Sequence, residues 1–264
     1  AQWASEKWRL MTWLVEPINY NVAVGVVSDG SLLATSTAHN INPPKWIEIF
    51  WVRVPKTGSM ALANVLGIPR CDAMNHGGAK EELDPPYARR HGHCTAKELK
   101  DLAGSAVWDN TPSFVVARNP FTRIISIYKH RRGQDPHFNV TFSQWLVANL
   151  SDEVLFWGQQ VDYILGGTPD EHRFLVESVF AFENGLEAVE RFLAHKGNHQ
   201  KIPTDINRGG GLPGDPKRCQ DWYTDSATVS LVTRAFQDDF KELGYDPNPH
   251  SCHVGAKIAD KTWS

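Results

Sequence analysis

The stretch Val54-Pro55-Lys56-Thr57-Gly58-Ser59 decides how the rest of this chain is interpreted. It ends an apolar run, 47–54, that has the composition of a buried strand, and a helical pattern over 60–66 follows it. A strand, a tight turn and a helix N-terminus leave backbone N–H groups pointing outward, and the helix dipole adds positive potential. Because Lys56 adds a full charge, the stretch predicts a phosphate or sulfate site.

The turn differs from a Walker A loop, in which a glycine-rich half leads to a Gly-Lys pair followed by Ser or Thr. Here Lys56 precedes Gly58, and Arg53, Val54 and Pro55 occupy the glycine-rich half. The turn is too short to wrap a diphosphate and its magnesium, so it suits a single phosphate or a phosphosulfate. The alternative is an ordinary strand–helix turn that Ser59 caps.

A second strand-to-helix junction strengthens the anion-site hypothesis. The apolar stretch 113–117 predicts a buried strand, and Arg118-Asn119-Pro120-Phe121-Thr122-Arg123-Ile124-Ile125-Ser126-Ile127-Tyr128 follows it. Asn119 suits an N-cap and Pro120 a first helical position. An arginine fork at the strand end and the Ser126 hydroxyl two turns into the helix can hold a second phosphate. Alternatively, Arg118 pairs with a carboxylate, and Ser126 is a small residue that allows helices to pack.

Together the two junctions resemble the sulfotransferases. Pro-Lys-Thr-Gly-Ser is similar to their 5′-phosphosulfate loop, and Arg-Asn-Pro-x-x-Arg-x-x-Ser-x-Tyr is similar to their 3′-phosphate motif. The resemblance implies the donor 3′-phosphoadenosine 5′-phosphosulfate (PAPS). It also implies donor contacts from the turn, the second motif and a later loop: Lys56, Thr57, Gly58, Ser59, Met60, Arg118, Ser126, Asn207 and Arg208.

The resemblance is strongest to the carbohydrate O-sulfotransferase branch, which includes uronyl 2-O- and chondroitin-type enzymes. His91-Gly92-His93 is similar to a His-Gly-His whose second histidine is the catalytic base in the 2-O-sulfotransferases, and Trp157-Gly158-Gln159-Gln160 is similar to a Trp/Gln segment of the branch. The catalytic candidates are therefore Lys56, His93 and His91. A glycan is the expected acceptor, and a small hydroxylated molecule is the alternative.

Histidine suits the role of base because its ordinary pKa lies near neutrality. His91 and His93 stay interchangeable at this stage, since alternation in an extended segment puts both on one face. His76 is a further candidate for contact with the acceptor. Other interpretations are a solvated loop histidine or a zinc site, but neither His76, His91, His93 and Cys94 nor His250, Cys252 and His253 has standard finger spacing. We expect no metal.

The chemistry in this scheme is in-line sulfuryl transfer, with a histidine base on the acceptor hydroxyl and Lys56 on the leaving phosphate. Two function classes compete with it. A P-loop-type kinase needs a Walker lysine after glycine, which is not in register here. The second competing class is a non-catalytic protein that keeps the fold and binds a nucleotide or a glycan. The presence of both Lys56 and His93 argues against this class.

Length and charge agree with one α/β domain, in which helices flank a P-loop-like central parallel sheet. The expected division of the 264 residues is an unassigned extension, 1–45, a sulfotransferase domain, 46–247, and a tail, 248–264. A net charge of −3 gives no indication of nucleic-acid binding. No apolar run reaches the ~20 residues of a membrane span. The resemblance implies the Golgi lumen for a eukaryotic protein; the alternative is the cytoplasm.

Finer expectations concern the connections. A hairpin is predicted around Asp29-Gly30, a short helix over 99–106, a helix over 142–165, a third strand over 179–182 and a long last helix over 225–243. The four cysteines, Cys71, Cys94, Cys219 and Cys252, fit two disulfides or four thiols, and we expect thiols. Of the basic residues after the second motif, Arg132 is expected to complement the helix dipole, and Lys129 is left open.

Overall fold

The computed structural model describes residues 49–66, 93–166, 173–203, 218–257 and 261–262. Its strands are β1 (Phe50–Val52), β2 (Ser113–Ala117), β3 (Leu165–Gly166), β4 (Arg173–Phe174), β5 (Ser178–Ala181) and β6 (Lys261–Thr262). Its α-helices are α1 (Ser59–Leu66), α2 (Ala96–Ala103), α3 (Ser105–Trp108), α4 (Pro120–Gln134), α5 (Phe142–Trp157), α6 (Val161–Ile164), α7 (Glu187–His195), α8 (Ser226–Ala235) and α9 (Gln237–Glu242). Short 3₁₀ turns cover Phe182–Asn184, Cys219–Trp222 and Pro249–Ser251.

The central sheet has the order β1-β2-β5-β6. The strands β1, β2 and β5 are parallel, with Val52 opposite Val115 and Ala117 opposite Ala181, whereas β6 joins β5 antiparallel. The strands β3 and β4 form a separate antiparallel pair. The prediction of an α/β fold with a parallel sheet flanked by helices is confirmed. The carboxyl ends of β1, β2 and β5 consequently meet at one edge, where α/β proteins bind their ligands.

Alternate residues of each parallel strand enter two different cores. On β2, Val115 and Ala117 pack into the core formed with α4 and α5, whereas Phe114 and Val116 pack into the core formed with α1 and α7. The strands are therefore apolar on both faces, as strands buried between two helical layers must be. This accounts for the unbroken apolar runs in the sequence.

Local sequence signals explain where several helices begin. The Asn119 side chain accepts a hydrogen bond from the Phe121 N–H, and Pro120 is the first residue of α4, as predicted. Thr95 and Thr141 form capping boxes with Glu98 and Gln144 at the starts of α2 and α5. Predicted boundaries move by a few residues: the helix expected over 99–106 is α2 and α3, and the third strand covers 178–181.

Three expectations are wrong. The helix expected over 142–165 ends at Trp157, because Gly158 takes a left-handed φ of +65°, and α6 is a separate short helix. The last helix is not continuous, because the backbone of Phe236 leaves the helical region (φ −122°, ψ 32°) and separates α8 from α9. Phe236 is buried at this break, and Asp239 is fully buried after it. The expectation of thiols is wrong for the three cysteines within the described residues: Cys219 and Cys252 form a disulfide with a Cα–Cα distance of 6.4 Å, and Cys94 is disulfide-bonded as well. The disulfide of Cys252 also excludes it as a zinc ligand.

Some predictions fall outside the described residues: the 1–45 extension with its hairpin, His76, His91, Asn207 and Arg208. The division into 1–45, 46–247 and 248–264 stays a prediction. Residues 248–264 contribute Cys252 to the disulfide and β6 to the sheet. Of the helices in the described ranges, none combines the length and the apolar character needed to cross a membrane.

Candidate functional site

The turn after β1 adopts a conformation that exposes its amides. Lys56 has a φ of +68° and Gly58 a φ of +86°, both in the left-handed region. The Thr57 hydroxyl donates to the Val54 carbonyl at 2.9 Å and is almost fully buried, so Thr57 offers a ligand its backbone N–H. Within the part of the chain that the structure describes, the backbone N–H groups of 57–60 donate to no acceptor. Unpaired amides at a helix N-terminus are the arrangement with which proteins bind anions, so the start of α1 has the backbone geometry of the predicted anion site.

Gly58 is needed for space as well as for conformation. A Cβ atom at this position would lie 2.8 Å from Cε2 and 3.1 Å from Cδ2 of the Phe182 ring. The same ring lies under the Arg118 guanidinium, whose central carbon is 4.7 Å from the ring centroid. Phe182 follows β5 directly, so the ends of three parallel strands contact one another here. Ser59 is buried, whereas half of the Met60 surface is exposed.

Arg118, at the end of β2, connects the two predicted anion sites. Its Nη1 donates to the Lys56 carbonyl at 3.0 Å, and its Nε donates to Thr122 Oγ1 at 3.0 Å. Its backbone is fixed by the Gln160 amide, which accepts from the Arg118 N–H at 2.8 Å and donates to the Arg118 carbonyl at 2.7 Å. The half-buried Ser126 hydroxyl lies two turns along α4 and has no hydrogen-bond partner among the described residues.

The charge on Lys56 is held in an unfavourable environment. Burial, the largest cause, and the positive charges of Arg118 and Arg131 together lower its pKa from 10.5 to about 8. A half-buried ammonium beside two guanidinium groups gains from an anionic ligand, which would replace lost hydration and compensate the repulsion. Lys56 therefore has the electrostatics of an anion-binding residue.

Glu183 faces the same region from the turn after β5. It accepts from the Asn119 N–H at 2.8 Å, from Thr122 Oγ1 at 3.1 Å and from the Tyr245 hydroxyl at 3.2 Å. Burial raises the pKa of Glu183, against the Asn119 hydrogen bond and the Arg118 charge. The carboxylate thus fixes the N-terminal turn of α4 relative to β5.

Arg123 is the residue whose role the sequence did not reveal. It is fully buried and donates to three carbonyl oxygens: Pro55 at 3.1 Å, Gly158 at 2.9 Å and Trp157 at 3.1 Å. Its Nη1 lies 3.9 Å from the buried Asp239 carboxylate. The fork therefore attaches the anion-binding turn to the segment after α5. Arg123 is visible in the sequence as the second arginine of the motif. The sequence does not specify which carbonyl oxygens that arginine contacts.

Asp239 and Gln160 complete this buried network. Asp239 accepts from the Val161 N–H at 2.9 Å and from Gln160 Nε2 at 3.2 Å. Burial raises the pKa of Asp239 to about 6, and Arg123 is the largest opposing influence. Gln160 in turn holds the Arg118 backbone, so α9 supports both predicted phosphate motifs.

His93 lies next to the turn. Its Nδ1 is 2.7 Å from the Arg53 carbonyl oxygen, three residues before Lys56. Because a carbonyl can only accept, Nδ1 carries the proton, and in the neutral ring Nε2 carries the lone pair. The structure thus places a histidine with a defined tautomer at the turn. Its predicted partner, His91, lies outside the described residues.

The other predicted residues have packing roles. Trp157, of the Trp/Gln segment, is buried in the core together with Trp108 and Trp222. Lys129 lies over the Trp222 ring at 5.2 Å, and Arg132 lies in the last turn of α4. Within the described residues, no group of three or more His, Cys, Asp or Glu side chains is arranged to hold a metal.

Residues 41–154 match the model described as "Sulfotransferase family". The comparison supports a sulfotransferase. The matched range includes the turn, His93, Arg118 and Ser126. An "Uncharacterized protein" of Archaeoglobus fulgidus is 21% identical over 109 residues, which cover 41% of this chain and 87% of that protein. No solved structure matches the chain.

Proposed function

We propose that this protein transfers a sulfuryl group from PAPS to a hydroxyl of a carbohydrate acceptor. One observation carries the proposal: the Arg118 guanidinium donates to the Lys56 carbonyl, so the two anion-binding motifs form one continuous site. A nucleotide with phosphate groups at both ends fits such a pair of sites better than a single phosphate does. The family match over the same residues supports the sulfuryl chemistry.

The donor's 5′ phosphosulfate is assigned to the amides of 57–60 and to Lys56. The left-handed turn and the amides without acceptors in the described ranges suit an anion of this size. The 3′-phosphate is assigned to Arg118 and Ser126. Arg118 donates to protein acceptors through Nε and Nη1, and the Ser126 hydroxyl is a further hydrogen-bond donor on the same side of α4. Asn207 and Arg208 remain proposed nucleotide contacts.

PAPS supplies an activated sulfuryl group. The acceptor oxygen forms a bond to sulfur while the bond from sulfur to the bridging phosphate oxygen breaks. His93 Nε2 takes the proton of the acceptor hydroxyl, and the Arg53 carbonyl stabilises the resulting imidazolium through Nδ1. Lys56 stabilises the negative charge that develops on the leaving phosphate. His91 is the proposed orienting neighbour of His93.

The carbohydrate acceptor rests on the resemblance of the His-Gly-His and Trp-Gly-Gln-Gln segments. In the structure, the segment 157–160 supports the donor motifs: its Trp157 and Gly158 carbonyls accept from Arg123, and Gln160 holds the Arg118 backbone. A role for this segment in shaping the site beside the donor explains why it accompanies the donor motifs.

Ligand-dependent thermal unfolding tests the donor. Adenosine 3′,5′-bisphosphate should raise the unfolding temperature more than ATP with magnesium does, because the turn lacks the Walker order of glycine and lysine. Turnover with labelled PAPS is then measured over glycans, phenols and hydroxylated peptides. Turnover of a glycan supports the proposal. Preference for ATP would contradict the donor, and turnover of phenols alone would contradict the acceptor.

A further inference from the structure

A row of polar side chains runs along α4 from Arg118. Thr122, Ser126 and His130 are four residues apart, so they lie along one side of the helix. The row begins at the arginine, since Thr122 Oγ1 accepts from Arg118 Nε at 3.0 Å. All three side chains are half-buried, whereas Ile124, Ile125 and Ile127 of the same helix are buried. His130 is therefore held at the same side of α4 as the proposed donor site.

Among the charged groups around the His130 ring, Lys56 is the one that a bound donor would affect most. The His130 ring contacts the Trp157 ring edge to face, with centroids 6.1 Å apart. The charged groups around it are Lys56 of the turn, Arg131 of α4 and Glu153 of α5. Arg131 is committed to Glu153 through two hydrogen bonds, at 2.7 and 3.0 Å. Lys56 is thus the charge whose environment a bound donor would change.

The protein surroundings of His130 disfavour a proton on its ring. Burial lowers the pKa of His130, and the positive charge of Lys56 is the next cause. An anion bound at Lys56 would reverse the field that the imidazole experiences, because the ligand brings more negative charge than one ammonium compensates. The imidazole would then gain a proton and become a second cationic contact.

We propose that His130 is a donor-binding residue that contacts the 5′ phosphosulfate beside Lys56 and takes up a proton when the donor binds. The proposal rests on the proposed function. We assign His130 to the 5′ end of the donor because the neighbouring Lys56 belongs to the turn assigned to that end. Ser126, one helical turn nearer Arg118, is assigned to the 3′-phosphate. This role is distinct from that of His93, which is held on the Arg53 carbonyl.

Affinities measured by calorimetry at pH 7 test the contact. His130→Gln should weaken binding of adenosine 3′,5′-bisphosphate by about tenfold, as expected for one charge-assisted hydrogen bond. Binding of adenosine 3′-monophosphate, which lacks the 5′ group, should not change. His137→Gln is the matched control, because His137 is an exposed histidine just after α4.

Proton uptake provides the second readout. In two buffers of different ionisation enthalpy, the wild-type protein should take up on the order of half a proton more per bisphosphate than His130→Gln does. A His130 signal in carbon-labelled wild-type protein, followed by NMR, should show its pKa rise on binding. This measurement needs no variant, so it tests the role of His130 even if His130→Gln fails to fold.

The outcomes separate the two proposals. Equal bisphosphate affinity in both proteins, or an unchanged His130 pKa on binding, overturns the role of His130 and leaves the donor assignment intact. Loss of affinity for both nucleotides places His130 elsewhere than at the 5′ end and also overturns it. A wild-type protein that does not bind the bisphosphate contradicts the donor and the His130 contact together.

Discussion

The Arg118 guanidinium donates to the Lys56 carbonyl at 3.0 Å, although 62 positions separate the two residues. The contact links the arginine of one phosphate motif to the backbone of the other. It holds Lys56 in its left-handed conformation, at φ +68°. It also places a guanidinium close enough to lower the pKa of the lysine. The two motifs consequently behave as one unit, and substitutions in either should affect both.

Replacement of Lys56 should separate its charge from its backbone conformation. Lys56→Ala and Lys56→Gly should both lose roughly 3–4 kcal/mol of transition-state stabilisation, because each lacks the ammonium. Lys56→Gly should be about 1 kcal/mol more stable than Lys56→Ala, since glycine tolerates a positive φ. Turnover and urea unfolding measure the two effects, with Lys241→Ala as the control, because the Lys241 side chain on α9 is exposed. Normal turnover in a folded Lys56→Ala protein would contradict the assignment of the turn.

The pH dependence of kcat/KM should report the lysine. Its lowered pKa, about 8, means that the charge is present below this pH and lost above it. The value of kcat/KM should therefore fall as the pH rises through about 8 in the free enzyme. In Lys56→Arg the fall should disappear from the accessible range, because a guanidinium stays protonated. A fall that is unchanged in this variant would belong to another group.

Ser126→Ala is the clean test of the 3′ end. It should weaken binding of adenosine 3′,5′-bisphosphate by about 1.5–3 kcal/mol and leave binding of 5′-AMP unchanged. Arg118→Ala cannot separate the two ends, because Arg118 also holds the Lys56 carbonyl. Calorimetric affinities decide, with Ser230→Ala on the exposed side of α8 as the control. Equal losses for both nucleotides would show that Ser126 does not contact the 3′-phosphate.

Two replacements of His93 should distinguish its chemistry from its hydrogen bond. In His93→Asn the amide nitrogen can still donate to the Arg53 carbonyl, whereas His93→Ala loses that contact. Both should lose turnover and the rise of kcat/KM with pH that a histidine base produces. His93→Asn should keep the wild-type stability and bisphosphate affinity. Turnover retained in His93→Asn would place the base elsewhere.

The buried arginine should matter for stability before it matters for chemistry. Arg123→Met leaves the Asp239 carboxylate buried without its ion-pair partner, which should cost roughly 3–5 kcal/mol of unfolding free energy near neutral pH. The loss should be smaller at pH 5: the Asp239 pKa, already about 6, rises further without the arginine, so the carboxyl is then protonated in the folded state. Denaturant unfolding at both pH values measures this, and Arg234→Met, at an exposed position, is the control.

Arg123→Lys gives the complementary test. It keeps a charge for Asp239 but cannot donate to three carbonyl oxygens at once. The Pro55 carbonyl then loses a donor, and bisphosphate affinity should fall while most of the stability returns. Full affinity in Arg123→Lys would show that the guanidinium fork does not position the turn.

Much of the local structure was predictable because its causes are local. The β2 boundaries, the Asn119 cap and the Pro120 start of α4 follow from a strand of apolar residues and from side-chain hydrogen bonding at a helix end. The break at Phe236 was not predictable, because no glycine or proline marks it. There, burial of Phe236 and Asp239 outweighs the helical pattern of the segment.

The sequence by itself determined the parallel sheet and the two strand–turn–helix junctions that carry the proposed anion sites, since hydrophobic runs and turn chemistry act over a few residues. The tertiary structure decided how the motifs combine: Arg118 on the Lys56 carbonyl, Arg123 on the Pro55 carbonyl, and His93 on the Arg53 carbonyl. These bonds join positions 40 to 68 residues apart. Their acceptors are backbone carbonyls, which every residue carries, so no side-chain pattern in the sequence could specify them.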